Sequence, residues 1–379
     1  MSIHCGSKSV ACILAGLSLL LAVPAFPADR VFQEGSAGQG SLRYHGEIAV
    51  LHVYGTPEEM GSQYGKLLGK PIVDTVEVLP GRFLKPEDLK KIQALAPKLE
   101  PAIPADILAE MKAMAQGAGV DYQKLLVLNA MLGSRSGCTS IAAGGQATAG
   151  GEPFLGRNGD WSDRTVMKYP LVTVRHGKGK LAFADVSGAG ILGAVAGINE
   201  KRLAVAWTLG PGGAYGQSDP LGTSVLLVFR KVLEQASTAA EAEKVIGQTK
   251  VDITATLTVI DAKGDSLVAE LTPKRTLFRH PEQGILYATN TFLAPGWGQP
   301  HPTCNRLKWL DQNVKGRTGI DEAFMHKALA GTAQGSTLQS MIFFPARRAV
   351  AVSFVKAKDD VAAKGTFTLL TTEDLFGVK

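Results

Sequence analysis

The stretch GCTSIAAGGQATAGGEPFLGRNGDW, residues 137–161, decides the fold. Two short apolar runs, CTSIAA and PFLGRN, flank a glycine-rich turn, the pattern of paired strands. They also divide the chain into unlike halves. Upstream, GEIAVLHVY (46–54) predicts a strand, after which Thr56 caps a helix with Pro57 in its first position and Glu58 and Glu59 in its first turn. From residue 86 to 130, PEDLKKIQALAPKLE, PADILAEMKAMAQGAG and DYQKLLVLNAMLG read as helices, so the lead-in is mostly helical. Downstream, YPLVTVRH, KLAFADV, RLAVAWTL, ATLTVIDA, DSLVAEL, ILYATN, SMIFFPARRAVAVSF and GTFTLLTT predict a large, mostly antiparallel set of strands. One long helix in SVLLVFRKVLEQASTAAEAEKVIGQ and another around Asp321 to Ala330 interrupt it. Sheets covered by helices, an α+β layered sandwich, are the packing these elements favour.

The 379 residues are 45% hydrophobic and 20% charged, which excludes disorder over most of the length. Forty Lys and Arg against 34 Asp and Glu leave +6, scattered without a basic block, so no nucleic acid partner is expected. Residues 1–28 carry Lys8, an apolar run from Ala11 to Val23, and small and Pro residues ending at Ala25 or Ala28. That is the layout of a secretory signal, too short to span a bilayer comfortably. The expectation is a periplasmic or secreted protein with no stable membrane anchor after signal removal. Cys5 and Cys12 leave with the signal, and the mature chain keeps Cys138 and Cys304. Either these pair, or at least one stays free for a reason.

Cys138 stands where the helical lead-in meets the first core strand. A free cysteine is ordinarily a small buried hydrophobe, and the seven histidines form no recognisable catalytic signature with it. Cleavage between Gly137 and Cys138 removes the need for a histidine. It frees an α-amine with a reference pKa of about 7.7 to 8.0, attached to the nucleophile itself. Gly137, lacking a Cβ, tolerates the backbone geometry that attack on the preceding carbonyl needs. The hairpin then returns the chain to Arg157 and Asp160. Strand positions three apart face opposite sides, and a bulge or turn at Gly159 is expected to let both reach Cys138. Asp160 would hold the α-ammonium and Arg157 would polarise the nucleophile or bind substrate; the plainer reading is an ion pair at a strand end. No His, Cys or carboxylate cluster has ligand spacing, so neither metal nor cofactor is expected.

These residues resemble the cysteine N-terminal-nucleophile hydrolases, specifically the isopenicillin-N acyltransferase-like family, with choloylglycine (bile-salt) hydrolases and acid ceramidase as more distant kin. GCTS with RNxDW at this separation carries the resemblance, and VYGTPEEMGSQYGKLLG, GINEKRLAVAWT, VIDAKGDSLVAELTP, YATNTF and PTCNRLKWL are also similar. The resemblance implies a four-layer αββα sandwich. It implies a 29–137 α chain and a 138–379 β chain that stay associated as a heterodimer after self-cleavage. It assigns Asn290 in YATNTF as an oxyanion-binding amide and Arg306 in PTCNRLKWL as an organiser of the site, with Thr139 and Ser140 as small hydroxyl residues after the nucleophile. The activity implied is hydrolysis or acyl transfer on small-molecule N-acyl amides through a thioester on Cys138. Trp161, Tyr169, Trp207, Tyr215, Phe292 and Trp297 are candidate pocket aromatics. The rival is a non-catalytic exported binding or scaffold protein of the same fold, with Cys138 in a disulfide to Cys304.

Overall fold

The computed structural model describes residues 30–131, 136–211, 218–219, 222–297 and 304–377. The signal expected at 1–28 and the pocket candidate Tyr215 lie outside these residues. The lead-in opens with three strands, β1 (Gly35–Ala37), β2 (Gly40–His45) and β3 (Ile48–Gly55). Five helices follow, α1 (Pro57–Leu67), α2 (Gly69–Phe83), α3 (Pro86–Leu99), α4 (Ala105–Ala118) and α5 (Tyr122–Met131). Thr56 caps α1, accepting from the Glu59 N–H while Glu59 accepts from the Thr56 N–H in return. The sequence reading has no counterpart of α2, because Val73, Thr75, Val76 and Val78 are individually poor helix formers; burial of Ile72, Val76, Leu79 and Phe83 decides the matter. Helices α1 and α4 pack backbone to backbone, since a Cβ on Gly65 would stand 2.3 Å from the Met114 carbonyl oxygen.

From Ser136 the chain runs through β4 (Ser136–Ala143), β5 (Phe154–Trp161), β6 (Pro170–Gly177), β7 (Phe183–Gly188), β8 (Ala196–Asn199) and β9 (Ala204–Leu209). Then come α6 (Val225–Gln235), α7 (Ala239–Gly247), β10 (Ala255–Ile260), β11 (Ser266–Leu271), β12 (Thr276–Arg279) and β13 (Ile285–Ala288). The chain ends in α8 (Asn305–Asn313), α9 (Glu322–Thr332), β14 (Thr337–Phe344), β15 (Ala349–Phe354), β16 (Thr368–Leu370) and α10 (Thr372–Phe376). The single long helix expected after Ser224 is two helices. Ala236 leaves α6 in an extended conformation, Thr238 accepts from the Glu241 N–H, and Glu241 accepts from the Ser237 N–H, a cap that restarts the chain as α7.

The strands form two sheets, β1-β2-β3-β6-β7-β8-β9-β10-β11-β12 and β13-β4-β5-β14-β15-β16. Pairing is antiparallel except between β3 and β6, which run parallel with Val50 opposite Val172. Three buried clusters show the layering. Leu51, Phe183, Val205 and Leu257 of the first sheet pack under α1, α4, α5 and α6; Val172, Val186 and Val268 meet Leu155, Met341 and Val352 between the sheets; Ile141, Phe154 and Ile342 pack under Met325 and Leu329 of α9. The order is therefore helix, sheet, sheet, helix, the αββα sandwich of the α+β class. Among the described residues no helix is long and apolar enough to cross a membrane.

A charge network is buried where the lead-in meets the first sheet. Glu110 of α4 accepts from Arg175 Nε of β6 at 3.0 Å and from Arg230 Nη2 of α6. Arg175 also donates to Asp185 of β7, and Arg230 Nε to Glu234 at 2.8 Å. Burial works to raise the Glu110 pKa, yet the charges of Arg230 and Arg175 outweigh it and hold the carboxyl below its usual range.

Farther along β6, His176 stacks on Tyr54 at 4.3 Å and approaches His52 Nδ1 at 3.3 Å. Burial drives the His176 pKa from 6.5 down to about 4. The folded state thus resists protonation, so the contribution of His176 is present above pH 6.5 and is lost as pH falls through about 4. Melting temperatures followed from pH 7 to pH 4 are expected to fall less steeply for His176→Phe than for the native protein. Equal slopes would remove His176 as a source of acid sensitivity.

Candidate active site

Cys138 is fully buried on β4. Regular pairing with β5 sets Cys138 opposite Gly159, Gly137 opposite Asp160 and Ser140 opposite Arg157, without a shift from Ser136 to Ala143. The bulge expected at Gly159 is therefore not found between these strands. Alternation along the strands puts Cys138 and Arg157 on the face that turns toward the other sheet, with Ala142 and Leu155, whereas Asp160 turns toward α8 and α9. Arg157 reaches the thiol diagonally. Its Nη2 stands 3.2 Å from Cys138 Sγ, and its Nε donates to the Trp207 carbonyl at 2.9 Å.

Asp160 joins the site through Arg306, from the first turn of α8. Arg306 Nη1 donates to the Cys138 carbonyl and, at 3.1 Å, to Asp160 Oδ2, while Nη2 donates to Asn290 Oδ1 at 2.7 Å. The same Asn290 oxygen accepts the Cys138 N–H at 3.0 Å, and Asn290 Nδ2 donates to the Leu209 carbonyl at 2.8 Å. Asn290 thus holds the backbone nitrogen of Cys138, with its own amide nitrogen engaged on the Leu209 carbonyl. Burial raises the Asp160 pKa, against a hydrogen bond from Thr337 Oγ1 at 2.6 Å and the charges of Arg306 and Arg157. A Cβ on Gly137 would lie 3.1 Å from Asp160 Oδ2 and 3.7 Å from Asn290 Oδ1, so the residue before Cys138 is small where the site is tightest.

The fold thus gathers Gly137, Cys138, Arg157, Asp160, Asn290 and Arg306, from β4, β5, the segment after β13, and α8. Thr139 Oγ1 lies 3.5 Å from Arg306 Nη1, and Ser140 shares a hydroxyl bond with Thr258 at 2.7 Å. Cys138 and Cys304 are not joined by the disulfide of the rival reading. The Cys138 thiol is engaged by Arg157, while Cys304 Sγ caps α8, accepting from the Leu307 N–H and contacting Thr289 Oγ1. Trp161, Tyr169 and Trp207 belong to the core beneath the first sheet, and Phe292 and Trp297 form a small cluster with Ala294. An apolar cavity of about 200 Å³ among α3, α4, α5 and α6, walled by Leu95, Leu99, Met111 and Leu227, contains none of the residues around Cys138. Among the described residues no group of three or more His, Cys, Asp or Glu side chains is placed to hold a metal. The sequence reading missed Thr337 and Gln339 of β14; their signal was the polar interruption of an otherwise apolar run, TLQSMIFF.

Comparison with known proteins covers the same residues in part. The curated relatives it matches include an uncharacterized protein of Archaeoglobus fulgidus, 25% identical over 57% of this chain and 41% of that protein, and protein dcd1B of Dictyostelium discoideum, 24% identical over 47% and 42%. The chain spans about two fifths of the length of these relatives. Similar solved structures include the N-acylethanolamine-hydrolyzing acid amidase ortholog of Caenorhabditis elegans, with 18% identity, TM-score 0.45, and 62% and 99% of the two chains covered. Another is the penicillin V acylase of Agrobacterium tumefaciens, with 15% identity, TM-score 0.40, and 58% and 83% covered. The family model of acyl-coenzyme A:6-aminopenicillanic acid acyl-transferase matches residues 147–315, a span that holds Arg157, Asp160, Asn290 and Arg306 and begins after Cys138. The family resemblance is thereby borne out over residues 147–315, which hold RNGDW, YATNTF and PTCNRLKWL, and over this span the chain is similar to an acyltransferase family.

Proposed function

We propose that the chain is a self-processing enzyme whose nucleophile is Cys138 and whose base is the α-amine of that same residue. Sγ attacks the Gly137 carbonyl carbon, the peptide nitrogen leaves with the thiol proton, and water cleaves the resulting thioester to a Gly137 carboxylate and free Cys138. In turnover the freed amine takes the thiol proton, Sγ attacks the carbonyl of an N-acyl amide, and the leaving amine recovers the proton. Water or an amine then accepts the acyl group. The observation that carries this reading is the double hold on one residue: Arg157 Nη2 lies 3.2 Å from Cys138 Sγ while Asn290 Oδ1 takes its N–H at 3.0 Å. Arg157 holds Sγ through Nη2, Asp160 balances Arg306, and Asn290 and Arg306 fix the backbone on both sides of Cys138. The substrate class is small-molecule N-acyl amides, the location is periplasmic or extracellular, and the two processed chains remain together as a heterodimer.

Intact mass of the purified mature protein tests the reading. Two components are expected, one beginning at Cys138, and a single uncut mass with no reactive thiol would defeat it. Asn290→Ala, in protein that has folded and been processed, is expected to lower N-acyl amide hydrolysis by about a hundredfold, the scale of a misplaced reacting group, measured as kcat/KM. An unchanged rate would take Asn290 out of the site.

A further inference from the structure

Gln339 of β14 pairs with Gly159 of β5, and Gly159 pairs with Cys138 of β4. Directly opposed residues share a face of the sheet, so Cys138, Gly159 and Gln339 form a row across three strands, with Arg157 beside it. Gln339 is fully buried, and neither its Nε2 nor its Oε1 has a hydrogen-bond partner in the protein. Arg157 Nη1 is in the same position, although Nε and Nη2 of that guanidinium are engaged. These groups are neighbours. A Cβ on Gly159 would stand 2.7 Å from Gln339 Nε2 and 2.8 Å from Arg157 Nη1, so only glycine lets both side chains cross this point. A half-turn of the Gln339 amide exchanges Nε2 for Oε1 and gives Nη1 an acceptor.

The strand carrying Gln339 is built to deliver it. Thr337 pairs with Asp160 and Gln339 with the adjacent Gly159, so β14 is bulged at Leu338. A bulge re-aims side chains that regular alternation would place on one face. Here it sends Thr337 to Asp160 and Gln339 to the opposite face, above Gly159.

We propose that Gln339 is the positioning residue for Arg157, its amide oxygen accepting from Nη1 and fixing the guanidinium so that Nη2 stays on Cys138 Sγ. The inference rests on the reading of Cys138 as the nucleophile, and its test uses the chain's own Gly137–Cys138 bond as substrate. The rate at which newly made full-length protein yields the fragment beginning at Cys138 is followed by denaturing electrophoresis, with melting temperatures measured alongside. Gln339→Met, which keeps the length and removes the acceptor, is expected to slow cleavage by about tenfold or more, the scale of one hydrogen bond to a charged group. Gln339→Glu, which keeps an acceptor, is expected to restore most of the rate. Loss of rate in both variants in proportion to lost stability, or no loss in Gln339→Met, overturns the inference. Absence of cleavage in the native chain, or an Arg157→Gln variant that cleaves at the native rate, instead overturns the reading of the site, and the inference falls with it.

Discussion

Protein carrying Cys138→Ala is expected to run as one uncut chain on a denaturing gel, where the native protein is expected to give two bands, and to lose amide turnover by roughly 10⁴- to 10⁶-fold. The physical reason is that every step of the proposed mechanism uses one sulfur. Without it no thioester forms at Gly137, the α-amine stays locked in a peptide bond, and the base is never released. Replacement by Ser would keep a hydroxyl at the same place but lose the intrinsic nucleophilicity of a thiolate, so slow, partial cutting is the expected intermediate behaviour. Arg157, Asn290 and Arg306 retain their positions in the alanine variant, since their bonds to Trp207, Leu209 and Asp160 do not involve the sulfur. A second band beginning at residue 138 in the alanine variant would show that another protein makes the cut.

Glu110→Gln is expected to cost about 3–5 kcal/mol of stability, the scale of breaking one partner out of a buried ion network. Glu110 is fully buried and takes bonds from two guanidinia that belong to the other side of the Gly137–Cys138 bond. Removing its charge leaves Arg175 and Arg230 facing each other with only Asp185 and Glu234 to balance them. Urea unfolding with the midpoint and slope measured together checks this, and a midpoint shift equivalent to less than about 1 kcal/mol would show that the network is dispensable. In processed protein the same substitution should let the two fragments separate on gel filtration at a urea concentration where the native fragments still elute together.

Much of the layering was legible because apolar runs split by glycine mark strands whatever their partners. The β4–β5 hairpin was legible too, since Cys138, Arg157 and Asp160 lie within one local unit. What the sequence does not carry is register. Nothing in RNGDW says that Gly159 keeps regular pairing with Cys138 and yields its space to a side chain from β14, which arrives nearly 180 residues later. Asp160 was expected to reach the nucleophile by a bulge in its own strand, whereas the structure links it through Arg306, and the bulge lies at Leu338. The missing break between α6 and α7 has a different origin. Ser237 and Thr238 are unremarkable in a helical pattern until their hydroxyl and N–H groups are seen to cap the next one.

The parallel pairing of β3 with β6 sets the order of events in this molecule. Val50 meets Val172 across a loop of more than a hundred residues that contains Gly137 and Cys138. While that loop is intact, β3 finds β6 as a tethered partner, at a cost that grows only slowly with loop length. If the chain is cut between Gly137 and Cys138 as proposed, the same encounter needs two separate molecules, and its rate depends on their concentration. Refolding of cut protein after full denaturation would then be second order, and dilute cut protein, once melted, would not return. Its persistence would be governed by how slowly it opens rather than by an equilibrium, and the Gly137–Cys138 bond would work as an assembly tether that is discarded after use.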